Sequence, residues 1–218
     1  CKFVNRGKEI NEQFGIDLRV DKIYPLKTGN TWITAKSANY LIRNYMLPDQ
    51  SFEKEIIKVG QHGLRSGNVW HVWADKKGRE WILTDKGTTI YNHHFSTQLP
   101  FKWIREVGEN IFLATPNGKL AVYDEKEHLV MIPMPAGVTR INQLKNTGYQ
   151  LLIATNIGLV VYNPRTFKTE VINVQSPGQP MAEVKNIYTD AYGMVWVFTD
   201  GMGVTMVNPR TGQKAWLY

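Results

Sequence analysis

The chain has 218 residues, 43% of them apolar and 21% charged, with a formal net charge of +7. It is apolar enough to bury a sizeable core and not to be disordered, and no run approaches the ~18 to 20 apolar residues of a membrane-spanning helix. The single cysteine, Cys1, excludes an internal disulfide framework.

In chain order, Cys1–Ile10 (CKFVNRGKEI) resembles the end of the chain, TMVNPRTGQK from Thr205. Both read as a third strand turning at Asn and Gly into a polar outer strand, so residues 1–16 form half of a repeating unit. Cys1 is then an ordinary residue exposed by trimming; the other reading is a lipid-modified first residue of a lipoprotein. Strands follow near Val20–Leu26, Thr31–Ala35, Asn39–Arg43 and Glu55–Val59, with Pro48–Lys54 as a longer polar loop. Val69–Ala74, Glu80–Leu83 and Thr88–Tyr91 come next, then Phe101–Val107, Asn110–Ala114, Lys119–Tyr123 and Leu129–Ile132. A further set covers Val138–Leu144, Gln150–Ala154, Leu159–Tyr162 and Thr169–Val174. After the rigid Pro177-Gly178-Gln179-Pro180 connection, Val184–Asp190, Met194–Thr199 and Val204–Val207 form three strands with two Gly-bearing turns, and Gln213–Tyr218 an outer strand. β-Branched and aromatic runs between Gly, Asp and Pro clusters are the signal of hairpins and meanders. Met194–Thr199 is so continuously apolar that neither face is expected to be wet.

A unit recurs through these strands. A bulky residue stands three places before a Thr or small residue at Trp32, Trp81, Phe112, Leu152 and Trp196, with spacings of 49, 31, 40 and 44 residues. Gly87, Gly118 and Gly158 stand six residues after the bulky position in the middle three copies, Ala38 takes that slot in the first, and Gly201 and Gly203 flank it in the last. Gly29, Gly78, Gly108, Gly148 and Gly193 precede it by three or four. An irregular period of about 40 with roughly four strands per period marks propeller blades. The fold class is therefore all-β, a β-propeller segment of about five four-stranded blades at about 17–62, 63–99, 100–136, 137–180 and 181–218. The amino-terminal half blade lacks two inner strands while the last blade has all four, so an incomplete ring is expected: an open arc, a tight dimer or a segment of a longer chain.

The bulky slot is read as packing, with Trp81 and Trp196 buried at equivalent places in second strands. The Thr after it is a cross-strand partner, and Asp75 and Asp190, each three residues before a turn Gly, cap their turns through side-chain to backbone hydrogen bonds.

Asn68–Gly87 (NVWHVWADKKGREWILTDKG) and Asn186–Gly201 (NIYTDAYGMVWVFTDG) resemble the two-component regulator propeller repeat: Asn, a β-branched residue, Asp, Gly, then Trp-Ile-Gly-Thr and Gly. Weaker copies lie at Phe101–Asp124 and Arg140–Asn163. The copy at Trp32 departs most, with Ala35 in the Thr slot and Ala38 in the Gly slot. The resemblance implies the periplasmic sensor region of Bacteroidetes-type hybrid histidine kinases. There, propellers precede a membrane helix, a kinase and a DNA-binding output, and the ligands are typically oligosaccharide breakdown products. None of the kinase or DNA-binding parts is in this chain.

Few residues suggest chemistry of their own. His93-His94, with His71 near in sequence, matches no compact ligand set, so no metal and no cofactor is expected. There is no Gly-x-Ser-x-Gly elbow, and Gly201-Met202-Gly203 is a hairpin turn with no helix after it, not a phosphate loop. Most acids fall in turns or polar outer strands, leaving a carboxylate pair for sugar hydrolysis as an open alternative. Trp70, Trp73, Trp103, Tyr149 and Tyr192 lie outside the core slot and are candidates to stack on sugar rings, against edge-strand packing as the plain reading. Lysines and arginines are scattered without a block of five or six, which argues for a solubilised surface over nucleic acid, although a positive field also steers acidic ligands. The expected function is ligand sensing in the periplasm, with an oligosaccharide, acidic ones included, as the ligand. Further blades or a second chain are expected partners, and the membrane only through other parts of a parent. No catalytic residue is assigned and the binding residues are not identified. A protein-interaction scaffold, then a propeller lyase or glycosidase, are the alternatives.

Overall fold

Short β-branched and aromatic runs ended by Gly, Asn, Asp or Pro fold as strands joined by tight turns. The computed structural model describes Glu12 and residues 19–36, 38–201 and 203–217, and holds twenty strands with almost no helix. They pair antiparallel in chain order as five four-stranded sheets. The first sheet is β1 (Val20–Pro25), β2 (Thr31–Ala35), β3 (Tyr40–Met46) and β4 (Phe52–Lys58), and the second is β5 (Val69–Ala74), β6 (Glu80–Thr84), β7 (Gly87–Ile90) and β8 (Ser96–Thr97). The third comprises β9 (Trp103–Val107), β10 (Asn110–Ala114), β11 (Leu120–Tyr123) and β12 (Leu129–Ile132). The fourth comprises β13 (Ile141–Asn146), β14 (Leu151–Thr155), β15 (Gly158–Asn163) and β16 (Lys168–Ile172). The fifth comprises β17 (Val184–Thr189), β18 (Val195–Thr199), β19 (Val204–Val207) and β20 (Lys214–Leu217). The half blade expected over 1–16 and Met202 lie outside the described residues, Glu12 apart.

Residues 1–100 form one compact unit with the first two sheets and residues 101–218 another with the other three. In the first unit, Trp32, Leu41 and Ile57 pack against Val69, Val72 and Ile82. In the second, the fourth sheet is the middle layer. Leu151 and Ile153 of β14 meet Phe112 and Leu120 of the third sheet, while Leu152 and Ala154 meet Val184, Val195 and Val197 of the fifth. A strand covered on both faces reads as a continuous apolar run because both sets of alternating side chains are buried.

The bulky slot is buried at Trp32, Trp81, Phe112 and Leu152, and half-buried at Trp196. The two dry faces expected of 194–199 are not found. Val195 and Val197 face the fourth sheet, so Trp196 and Phe198 take the other face, where Phe198 is 39% exposed. The Thr slot pairs across strands as expected, and its partner is the Gly slot. Thr84 is opposite Gly87 and Thr155 opposite Gly158, and each hydroxyl donates to the glycine carbonyl at 2.7 Å. Gly87 has φ +151°, and a Cβ there would lie 2.3 Å from the Thr97 carbonyl oxygen, so no other residue fits. Asp75 and Asp190 cap their turns as expected: Asp75 Oδ1 accepts from the Arg79 amide at 2.9 Å and Asp190 Oδ1 from the Met194 amide at 3.0 Å.

Two elements differ from the sequence reading. The polar loop at Pro48–Lys54 is shorter, because Phe52, Glu53 and Lys54 already pair with Met46, Tyr45 and Asn44. A strand at the outer edge needs no apolar face, so its polarity hides it. The fourth strand of the second sheet, β8, is two residues long and carries no periodicity to read. A bulge one residue into the first strand of four sheets, at Asp21, Trp70, Asn142 and Lys185, has no signature in the sequence either.

Candidate functional site

In the first unit the charged centre is Glu80, 4% exposed. Its Oε2 accepts from Arg43 Nε at 2.8 Å and Trp32 Nε1 at 3.0 Å, and its Oε1 from Asn30 Nδ2 at 2.5 Å and Thr28 Oγ1 at 3.5 Å. The Arg43 guanidinium lies 4.6 Å from the Tyr91 ring centre and 5.0 Å from that of Tyr45. Tyr91 donates to Glu55 Oε2 at 2.6 Å. Burial, then that hydrogen bond, pushes the Tyr91 phenol up to about 12, with Arg43 opposing. Both Glu80 oxygens are filled, Oε2 by donors on β2 and β3 and Oε1 by donors from the β1–β2 turn. This carboxylate joins the first and second sheets and offers no free lone pair to a substrate. Removing one partner of such a buried pair costs about 3–5 kcal/mol. The bulky slot at Trp32 thus carries a hydrogen-bonding duty as well as packing.

The histidines do not gather into one cluster with His71. His93 and His94 stack on each other at 4.1 Å after β7, and His93 Nδ1 accepts from the Phe95 amide at 3.1 Å. His71, in β5, packs edge-on against Tyr24 at 5.9 Å.

Of the five candidate stacking aromatics, the structure brings two together. Trp70 and Trp73 are half-buried in β5, with Lys27 Nζ 5.8 Å from the Trp73 ring. Trp103 packs against the apolar layer between the third and fourth sheets, with Lys102 Nζ 5.3 Å over it. Tyr149 and Tyr192 line one cleft of about 190 Å³ with Thr147, Thr189, Met194 and Arg210.

That cleft is assembled from turns at one end of the fourth and fifth sheets. The β13–β14 turn is fixed by Asn146, whose Nδ2 donates to the Glu106 carbonyl at 2.6 Å and whose Oδ1 accepts from the Gly148 amide at 2.6 Å. The β17–β18 turn is fixed by Asp190, which accepts from the Tyr192 and Met194 amides. Asn208 Oδ1 holds the β19–β20 turn through the Arg210 amide at 3.0 Å. On this frame Tyr192 is 92% exposed. The Tyr149 hydroxyl and Thr189 Oγ1 are buried with no hydrogen-bond partner. Buried polar atoms are almost always paired, and an orphan calls for an explanation such as a bound group. Two orphans in a cleft that Tyr192 and Arg210 also line fit a small polyhydroxylated molecule: stacking on Tyr192, hydroxyl pairing at Tyr149 and Thr189, and a charge-assisted contact at Arg210. Tyr149 and Tyr192 were legible as aromatics outside the packing slot. Thr189 and Arg210 were not, because nothing in sequence tells an unpartnered hydroxyl from a paired one.

No family model matches the chain, and no curated protein does. Among solved structures, the chain is similar to the extracellular domain of the putative hybrid two component system BT4673 from Bacteroides thetaiotaomicron. The TM-score is 0.63 at 20% identity, covering 91% of this chain and 27% of that one. A second structure of that extracellular domain, described as a putative one component system, matches with TM-score 0.58 and 19% identity over 95% of this chain and 32% of that one. Virginiamycin B lyase from Staphylococcus aureus matches with TM-score 0.59 and 12% identity over 93% and 70%. At these identities the likeness is one of fold, with four-stranded antiparallel blades of the β-propeller kind. The chain spans about a quarter to a third of the length of the BT4673 structures.

Proposed function

We propose that the chain is a ligand-sensing, extracytoplasmic β-propeller segment of a two-component signalling protein, and that the Tyr149–Tyr192 cleft takes an oligosaccharide end, an acidic sugar in particular. The observation that carries the ligand assignment is the pair of unpartnered buried hydroxyls, Tyr149 and Thr189, in one cleft with Tyr192 and Arg210. A sugar ring presents an apolar face to Tyr192 and hydroxyls to the two orphans, and a uronate carboxylate suits Arg210 and the net charge of +7. Support for the sensor role comes from the fold shared with the BT4673 extracellular domain. Phosphoryl transfer and the membrane anchor belong in this reading to other parts of a parent protein. No helix among the described residues is long and apolar enough to cross a membrane.

The test is a thermal-shift panel of neutral and uronate-containing oligosaccharides. Ligand at a hundredfold over Kd stabilises by about 2.7 kcal/mol, a rise in Tm of about 5–10 °C for a chain of this size. A shift with uronates that is absent in Arg210→Ala supports the reading, and a flat panel overturns it. Because a lyase shares the fold, the same incubations are assayed for elimination products; turnover would replace a sensor with an enzyme.

A further inference from the structure

One inter-sheet cleft is built twice within residues 101–218, and its two copies have diverged. Between the fourth and fifth sheets it is lined by Leu152, Val161, Glu170, Ile172, Val207 and Gly212, and holds about 250 Å³. At the corresponding positions between the third and fourth sheets stand Phe112, Val122, Val130, Ile132, Tyr162 and Phe167, around about 590 Å³. The strand register fixes the correspondence. Phe112 pairs with Val122 and Val122 with Val130, as Leu152 pairs with Val161 and Val161 with Glu170. Val130 thus stands where the sister cleft has a carboxylate, and Phe167 where it has a glycine.

Phe167 is the telling difference. Asn163-Pro-Arg-Thr-Phe167 repeats as Asn208-Pro-Arg-Thr-Gly212, with the same turn. The Phe167 amide donates to the Asn163 carbonyl at 2.9 Å and the Gly212 amide to the Asn208 carbonyl at 2.8 Å. Both residues are left-handed, with φ of +57° and +73°. That region is disfavoured for a bulky side chain and free for glycine. Nor does burial offset the strain, since Phe167 is 79% exposed. A strained, exposed aromatic at the edge of a cleft motivates a functional reading.

The cleft has the volume and the apolar lining of small-molecule sites, which run to about 300–1,000 Å³. Phe112 and Tyr162 form its aromatic floor, ring centres 5.6 Å apart. Its charged groups are Glu109, Asp124 and Glu125 against Lys126. Asp124 Oδ1 is engaged in its own turn by the Lys126 and His128 amides at 2.9 and 2.8 Å but keeps its charge, so three carboxylates against one ammonium set the sign, with Glu109 and Glu125 the two not engaged in that turn. Electron-rich ring faces and carboxylates both favour a cation. We propose that the cleft between the third and fourth sheets binds an amphipathic cation, its apolar ring-bearing body against Phe112, Tyr162 and Phe167 and its charge toward Glu109 and Glu125. This site stands apart from the Tyr149–Tyr192 cleft and does not depend on that assignment.

The experiment is isothermal titration of the whole chain with tetraphenylphosphonium and with tetraphenylborate, two ions of matched size and opposite charge. The phosphonium is expected to bind at one site more tightly than the borate. Phe167→Gly should weaken it by about tenfold or more without lowering Tm, because glycine relieves the left-handed strain. No binding of the phosphonium, equal affinity in Phe167→Gly, or preference for the borate would overturn the proposal. A fall in Tm in that variant would overturn it too, by making Phe167 structural. Self-association lost in Phe167→Gly, with no phosphonium uptake, would replace the ligand with a second copy of the chain.

Discussion

Asp75 Oδ2 accepts a hydrogen bond from the buried indole Nε1 of Trp81 at 3.0 Å, six residues along the chain. The same bond joins Asp190 Oδ2 to Trp196 Nε1 at 2.8 Å. One carboxylate oxygen caps the β-turn while the other fixes the tryptophan of the next strand. Turn geometry and core packing are therefore set by a single side chain.

Asp75 is fully buried and also receives Arg79 Nε at 2.6 Å. Asp75→Ala removes the acceptor of the indole N–H and of the Arg79 amide together, and we expect a loss of about 2–4 kcal/mol, read as a Tm lower by about 5–15 °C. Asp190→Ala should cost less, because Trp196 is half-buried and water can serve its indole. Equal losses, or a loss under about 1 kcal/mol at Asp75, would show that the bond is incidental.

Much of the fold was legible because a blade repeats its own grammar. Bulky residue, Thr and Gly at fixed offsets survived in Trp81-x-x-Thr84-x-x-Gly87 and Leu152-x-x-Thr155-x-x-Gly158 since each slot has a separate physical duty. The caps Asp75 and Asp190 were legible for the same reason. What escaped depends on partners far along the chain. Nothing local tells that Glu80 is buried opposite Arg43 and Trp32, that Trp196 lies on the face of β18 turned away from the fourth sheet, or that Tyr149 and Thr189 line one cleft across 40 residues with no partner for either hydroxyl. The polar strand start at Phe52–Lys54 and the two-residue β8 were lost because outer strands need no apolar alternation.

Alkaline titration tests the Glu80 neighbourhood. Tyr91 is a weaker acid folded, at about 12, than a free phenol at about 10. Its neutral form is favoured in the fold. That stabilisation is complete below the unfolded value and is lost as pH climbs through the folded one. Phenolate absorbance should show a final tyrosine step in this range that Tyr91→Phe removes and Glu55→Gln moves down. A Tyr91→Phe curve superimposing on the parent would sink the assignment.

At the acid end the sign reverses. The Trp196 indole, then the Met194, Tyr192 and Gly193 amides, hold Asp190 below the usual carboxylate range, and Asn142, with Lys185 and Arg140, does so for Glu183. A depressed carboxylate stabilises the fold above its unfolded pKa of about 4 and loses that contribution as pH falls through the folded value. Tm should therefore drop on acidification below about pH 4, and Asp190→Asn should flatten part of that drop. An unchanged slope in the variant would mean that other groups carry acid unfolding.

The candidate ligand cleft makes a prediction with opposite signs for stability and binding. A buried hydroxyl without a partner costs about 1–3 kcal/mol of desolvation that no contact returns in the free protein. Tyr149→Phe and Thr189→Val keep the shape and remove the orphaned atoms. Each should leave Tm unchanged or raise it by a few degrees, about 2–4 °C per kcal/mol recovered. Each should also weaken a bound uronate by about tenfold, the worth of one hydrogen bond of about 1.4 kcal/mol. Tyr192→Ala removes the stacking ring, and since that side chain is 92% exposed it should cost affinity and almost no stability. The measurements are thermal unfolding without ligand and titration calorimetry with a uronate oligosaccharide. If Tyr149→Phe instead lowers Tm, the hydroxyl has a structural partner and the cleft is not preorganised for a ligand. If stability rises and affinity is untouched, the orphaned atoms belong to packing alone and the sugar binds elsewhere.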